Sequence, residues 1–140
     1  GKTDVIQMLN GAIGGLVAIT AEPLMPTPLT AILIGAAGGI IVVYGTKLLL
    51  SMKIDDVVGA IPAHLFAGIW GTLAVPITNS AAKFGTQLLG VIAINGTVFV
   101  ISLIIWSIMK SSIGIRLSKE GEIKGTDVTE TGVIAYAIRD

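Results

Sequence analysis

Four long apolar runs dominate this sequence, and they limit what the chain can fold into. They cover residues 5–21, 29–50, 56–77 and 85–110, and apart from the terminal Asp56 and Lys110 the only charge inside them is Lys47. A helix needs about 20 apolar residues to cross the ~30 Å hydrocarbon layer of a membrane. Lipid cannot hydrogen-bond to exposed backbone groups, so spans of this length are helical. We therefore predict an all-α, polytopic membrane helix bundle with four transmembrane helices.

The composition supports a membrane protein and gives little material for an enzyme. Hydrophobic residues make up 53% of the chain and charged residues 13%, which places it in the membrane class. The sequence has no cysteine and a single histidine, His64, so it contains no thiolate metal ligands and no cluster of imidazoles. It also lacks a phosphate-binding loop and a nucleophile–base pair. We expect no enzymatic activity and no cofactor or metal.

Polar segments divide the chain into a membrane domain, residues 1–112, and a tail, residues 113–140. The segment 22–28 has three prolines and predicts a rigid turn, in which Glu22 is expected to be a solvated charge, with a site for incoming cations as the alternative. With four spans, one side of the membrane carries most basic residues: Lys2, Lys47, Lys53, Lys110, Arg116, Lys119, Lys124 and Arg139. The other side has Lys83 alone, and the positive-inside rule therefore makes the tail cytoplasmic.

His64 is the one ionisable residue deep inside a span. A helix that began at Asp56 would place it roughly 12 Å along the axis, at ~1.5 Å per residue, close to the middle of the membrane. An ionisable group at that depth is by default a functional candidate. The alternative is a packed histidine that bonds a carbonyl of a neighbouring helix. On helical spacing the neighbours of His64 are small, which favours a pocket: Ala60, Ala67, Gly68 and Gly71.

Residues that precede His64 are expected to shape its helix. Pro62 has no N–H and frees the carbonyl of Val58, so we predict a bend just before the histidine. Asp55 and Asp56 stand where negative charge suits a helix N-terminus, which favours capping over a direct transport role. Asn and Asp cap about equally well, so Asn should replace Asp56 with little loss. Asn10 can bond across a helix interface, and Asn95 is expected to do the same.

The residues around His64 also carry a family resemblance. The segment D-D-V-V-G-A-I-P-A-H-L-F-A-G-I-W-G-T-L, residues 55–73, resembles the signature around the second pore histidine of the ammonium transporter family. Residues 10–20, N-G-A-I-G-G-L-V-A-I-T, resemble an upstream motif of that family. G-I-R-L at 114–117 and the stretch from Gly125 and Asp127 to Ala135 and Tyr136 are similar to its cytoplasmic tail. The match extends in order over essentially the whole chain, and the central motif is highly specific.

The resemblance implies a fold and a function. Members typically have eleven spans, of which this chain would supply the last four plus the tail, as a C-terminal fragment. His64 would be one of two histidines that line a pore for ammonium or ammonia. Asp56, Pro62, Gly68 and Trp70 would support the geometry of the pore and its helix. The alternative is an ammonium sensor of the same family.

Location and partners also follow from the resemblance. It implies the cell membrane, with the bacterial inner membrane expected, and partners that comprise the lipid bilayer and two further copies in a homotrimer. A regulatory PII-type protein would bind the tail. However, Thr126 stands where the family usually has leucine, and Val133 and Ile134 replace polar or acidic residues, which puts that regulation in doubt. No nucleic acid is expected as a partner.

Overall fold

A computed structural model describes residues 3–135, and among them the chain forms helices and turns without a β-strand. The helices are α1 (Val5–Ile19), α2 (Pro28–Ser51), α3 (Ala67–Thr78), α4 (Phe84–Ser112) and α5 (Lys119–Lys124). Two short π-helical segments complete the list. We call Ile61–Phe66, which runs directly into α3, the His64 turn, and Asp127–Thr131 the tail turn. The predicted all-α membrane helix bundle is thereby confirmed.

Three of the helical stretches are long and apolar enough to cross a membrane: α2, the continuous stretch 61–78, and α4. The first run forms a helix of only 15 residues, about 22 Å at ~1.5 Å per residue, which is shorter than the ~30 Å hydrocarbon layer. Asp4 accepts a hydrogen bond from the Gln7 amide at its start, and the Thr20 hydroxyl and amide both donate to the Val17 carbonyl at its end. The prediction of four membrane-length helices is therefore correct for three runs and too long for the first.

Glycines let α1 and α2 pack with their backbones in contact. A Cβ added to Gly38 would lie 2.6 Å from the Gly14 carbonyl oxygen, and one added to Gly15 would lie 3.1 Å from the Gly35 carbonyl oxygen. The paired positions run in opposite directions, so the two helices are antiparallel. Close approach of this kind is typical of small-xxx-small faces in membranes. These glycines thus bring the backbones of α1 and α2 into direct contact.

The third helical stretch packs against both of these helices. Val42 of α2 is fully buried with Ala63 and Ala67, and a Cβ on Gly71 would collide with the Ala18 carbonyl oxygen of α1. Small side chains on each surface thus let three helices meet. The proline-rich turn is bonded to this bundle, since the side-chain Nδ2 of Asn79 donates to the Glu22 carboxylate at 2.9 Å in a partly buried position. Glu22, which was expected to be a solvated charge, is partly exposed and also accepts this bond from Asn79.

The chain divides into two compact units, residues 1–96 and 97–140. The second unit contains the end of α4, α5 and the tail turn. Arg116 donates to Glu122 at 2.5 Å, and the Ser118 hydroxyl caps α5 by accepting from the Gly121 amide at 3.1 Å. The Asp127 carboxylate accepts from the Ala135 amide at 2.8 Å and so closes a loop. Tyr136 and Arg139, which belong to the predicted tail, lie outside the described residues, as does Lys2.

Candidate functional site

Asp56 holds the start of the His64 turn with both of its carboxylate oxygens. One oxygen accepts from the Ala60 amide at 2.9 Å, and the other accepts from the Ile61 amide at 2.8 Å. Amides at the start of a helical segment have no partner within the helix, so this carboxylate supplies two of the missing acceptors. Among the described residues, the carboxylate of the neighbouring Asp55 makes no such bond. Asp56 therefore caps the turn, as expected, but it does so from outside the helix.

The predicted start of this span at Asp56 is wrong. Residues 54–59 are not helical, and the π-helical turn begins at Ile61. Gly59 has a φ of +71°, a left-handed conformation that ends any helix arriving from Asp56. The sequence showed a glycine here but gave no sign that the backbone would turn left-handed.

Asn10 completes the hydrogen bonding just before the turn. Its Nδ2 donates to the Val58 carbonyl oxygen at 2.7 Å. This is the carbonyl that Pro62 was predicted to leave free, because proline has no N–H to donate four residues later. The Gly59 carbonyl accepts from the Ala63 amide at 3.2 Å. The carbonyl that Pro62 was expected to leave free is thus the one that Asn10, expected to bond to a neighbouring element, binds.

His64 lies in the middle of the π-helical turn, and its side chain is exposed on a groove of about 290 Å³. π-helical turns are rare and occur frequently at functional sites. One wall of the groove comes from the His64 turn and α3, and the other comes from residues 87–95 of α4. The lining residues are His64, Leu65, Gly68, Ile69, Thr72, Gln87, Gly90, Val91, Ile94 and Asn95.

Of the small residues predicted to share the His64 face, the structure leaves only Gly68 in the groove. Ala67 is fully buried against Val42, and Gly71 packs against α1. Gly68 and Thr72, four and eight positions after His64, face the groove. Ala67 and Gly71, three and seven positions after it, face the bundle. Only one of the four expected neighbours therefore lies in the groove, because helical spacing alone does not say which flank of a helix meets its partners.

Trp70 supports α3 from the opposite side. Its indole Nε1 donates to the Ile34 carbonyl oxygen of α2 at 3.0 Å, and Trp70 does not line the His64 groove. An indole N–H inside an apolar bundle needs an acceptor, and α2 provides one. Trp70 thus positions a helix and makes no contact with the groove.

Three polar side chains accompany His64 along the groove: Thr72, Gln87 and Asn95. Thr72 donates to the Gly68 carbonyl at 2.9 Å, and the Asn95 Nδ2 donates to the Val91 carbonyl of its own helix at 2.9 Å. Asn95 was expected to bond across an interface, and that expectation is wrong in this structure. Gln87 and Thr72 were not singled out from the sequence. Gln87, Val91 and Asn95 stand four apart, a spacing that could have revealed one face of α4.

The groove is suited to a small polar guest in an apolar setting. A neutral imidazole has one donor and one acceptor, and the amide and hydroxyl side chains add further groups of both kinds. Among residues 3–135, no three carboxylate, imidazole or thiol groups come together as metal ligands. The groove thus offers hydrogen bonds without a fixed charge.

Known proteins resemble this chain over nearly all of its length. Residues 1–136 match the model of the Ammonium Transporter Family. Ammonium transporter Amt2 of Archaeoglobus fulgidus is 38% identical over 97% of this chain and 33% of its own length. A putative ammonium transporter of Synechocystis is 39% identical over 94% of this chain and 30% of its own length. Ammonium transporter Amt1 of Haloferax mediterranei is 35% identical over 97% of this chain and 27% of its own length.

These relatives are named as transporters, and this chain spans about a third of their length. The family model covers far more than half of the chain, and the apolar helices are those of a multi-pass membrane protein. The chain belongs to the ammonium transporter family.

Proposed function

We propose that this chain forms part of a transmembrane pathway for ammonium or ammonia, with His64 lining that pathway. The observation that carries the proposal is the position of the only histidine in the sequence. It lies inside an apolar stretch, on a π-helical turn, and faces an open groove with three other polar side chains. A member of the ammonium transporter family has an evident use for such a group.

The physical task is to admit ammonium and reject potassium, whose ionic radius is nearly the same. A pathway that removes a proton and carries neutral ammonia rejects any ion that cannot lose a proton. Apolar walls and a few neutral hydrogen-bonding groups are enough for this, and a neutral imidazole both donates and accepts. A second histidine facing His64, as the resemblance implies, would come from outside this chain, whose sequence has one histidine.

The supporting residues act on the position of the histidine. We infer that Asp56 and Pro62 define where the His64 turn begins, that Gly68 keeps the wall beside the imidazole flat, and that Trp70 fixes α3 on α2. We further propose that the protein works as a homotrimer in the cell membrane with its tail in the cytoplasm. A PII-type protein would bind at the tail, where the exposed Val133 and Ile134 would weaken its binding.

The test replaces His64 with Leu in the natural full-length protein. Leucine keeps the site apolar, so membrane abundance should stay close to that of the wild type. Methylammonium uptake per molecule should fall, or potassium should leak through. The matched control is Ile32→Leu, a change of shape at constant volume at an exposed position of α2 outside the groove, which should leave both unchanged. Normal uptake and unchanged selectivity in His64→Leu would refute the proposal. A sensor would show little uptake in the wild type.

A further inference from the structure

The contact between Asn10 and the segment before His64 has a geometry that goes beyond ordinary helix packing. Asn10 lies on α1, and the Val58 carbonyl that it binds lies 48 positions later, six residues before the histidine. Gly59 is buried, and a Cβ added there would collide with the Asn10 Nδ2 atom. Only glycine permits the amide group to come this close. The left-handed φ of Gly59 is a second, independent reason why a residue with a side chain is unfavourable at this position.

The bond also determines how the backbone enters the turn. Pro62 cannot donate to Val58, and the two amides that precede it, those of Ala60 and Ile61, are taken by Asp56. The Val58 carbonyl therefore accepts its hydrogen bond from Asn10 of α1. Without this donor, the Val58 carbonyl would favour a rearrangement that provides another one. An α-helical bond cannot provide one, because the residue four positions later is Pro62. The nearest amide that can is that of Ala63, which now donates to the Gly59 carbonyl and would move to the Val58 carbonyl, adding one bond to the π-helical turn.

Such a change would rotate His64. A π-helical ring closes over one more residue than an α-helical ring, so an added π bond turns the side chains within it relative to the residues that follow. Those residues are fixed, since Ala67 is fully buried and Trp70 is bonded to α2. The imidazole would therefore move while α3 stayed in place.

We propose that Asn10 is a positioning residue for His64: its hydrogen bond to the Val58 carbonyl holds the π-helical turn and thereby the direction of the imidazole. The inference rests on the proposed role of His64 in the pathway. No residue of α1 lines the groove. The bond from Asn10 would therefore let α1 affect selectivity without contact with the groove.

The experiment compares Asn10→Leu, which keeps the size of the side chain but removes the donor, with the wild type and His64→Leu in the full-length protein. The control on the same helix is Gln7→Leu, which removes an amide one turn earlier. Asn10→Leu should keep membrane abundance within about twofold, because an interhelical hydrogen bond contributes little to stability. Uptake per molecule should fall by about tenfold or more, as expected when a key group is displaced. Potassium discrimination should fall with it.

Two further measurements make the outcome decisive. A cryo-electron microscopy structure of Asn10→Leu should show the Ala63 amide bonded to the Val58 carbonyl and a displaced imidazole. The double variant with His64→Leu should transport no worse than His64→Leu alone. An unchanged π-helical turn, or normal selectivity with lower abundance, would overturn the positioning role and leave the proposed function intact. Normal transport by His64→Leu would instead overturn the proposed function, while the structure of Asn10→Leu would still decide whether Asn10 holds the turn.

Discussion

Asp56, which caps the His64 turn, leads to a prediction that the sequence alone did not give: two substitutions should destabilise the turn to different degrees. Asn was expected to replace Asp56 with little loss, because the two rank equally as N-caps. In the structure both carboxylate oxygens accept a backbone amide, at 2.9 Å and 2.8 Å. An Asn side chain has one oxygen, so its NH2 group would face the second amide. We therefore expect Asp56→Asn to be destabilising and Asp56→Ala to be more so.

The magnitudes follow from the number of bonds lost. Replacing a capping residue with Ala costs about 0.5–2 kcal/mol, and loss of two acceptors places Asp56→Ala near the upper end, at about 2 kcal/mol. Asp56→Asn loses one of the two and should cost about 1 kcal/mol. If the turn opens locally, these values correspond to hydrogen exchange about 25-fold and about fivefold faster, since 1.4 kcal/mol is a factor of ten.

The assay is hydrogen exchange measured by mass spectrometry on peptides that contain the Ala60 and Ile61 amides. Asp55→Asn is the matched control, because it removes the same charge from the adjacent residue, and it should leave exchange at these amides unchanged. Equal exchange in Asp56→Asn and the wild type would mean that one oxygen suffices. Equal exchange in the Asn and Ala variants would mean that the charge, rather than the two hydrogen bonds, holds the turn.

Three other predictions concern packing, the tail and orientation. Gly38→Ala should lower stability in detergent by about 2 kcal/mol or more through overpacking, whereas Gly96→Ala, with nothing within 4 Å of the added Cβ, should be neutral or stabilising; equal effects would refute the backbone contact. The hydrogen bond from the Ala135 amide lowers the pKa of Asp127 below its ordinary value of 3.8, so its contribution to stability is present above that pH and lost as the pH falls through the lowered pKa. Exchange of the Ala135 amide should accelerate there, beyond the chemical pH dependence of exchange, and Asp127→Asn should abolish that extra acceleration. A cysteine in place of Ile123, which is 88% exposed, should be labelled only from the cytoplasmic side of intact cells; labelling from outside would reverse the orientation.

Much of the fold could be predicted because lipid makes local sequence decisive. Uncharged length alone located α2 and α4 to within two residues at each end. Glycines spaced for packing located the face between α1 and α2, since close helix contact in membranes requires small residues. Pro62 and Asn10 could each be assigned a hydrogen-bonding need from their chemistry. Their meeting at the Val58 carbonyl could not be predicted, because it depends on how two helices align.

For two polar side chains the sequence left open which partner each would meet. Asn95 could have bonded to another helix or to its own, and in α4 the Val91 carbonyl was nearer. Glu22 could have stayed in water, but Asn79 at the end of α3 lies beside it. In each case the partly buried polar group found a partner, and only the identity of that partner was open.

The direction of His64 is the clearest example of this limit. The sequence placed an ionisable residue inside a span, but an α-helix from Asp56 and a π-helical turn from Ile61 point its side chain to different places. Three separate features favour the second arrangement: the left-handed Gly59, the carboxylate of Asp56 on two amides, and the bond from Asn10. Two of them precede the turn by only a few residues, and the third comes from α1. The position of the imidazole is therefore a property of helix packing, which is why a substitution on α1 should be able to change what passes His64.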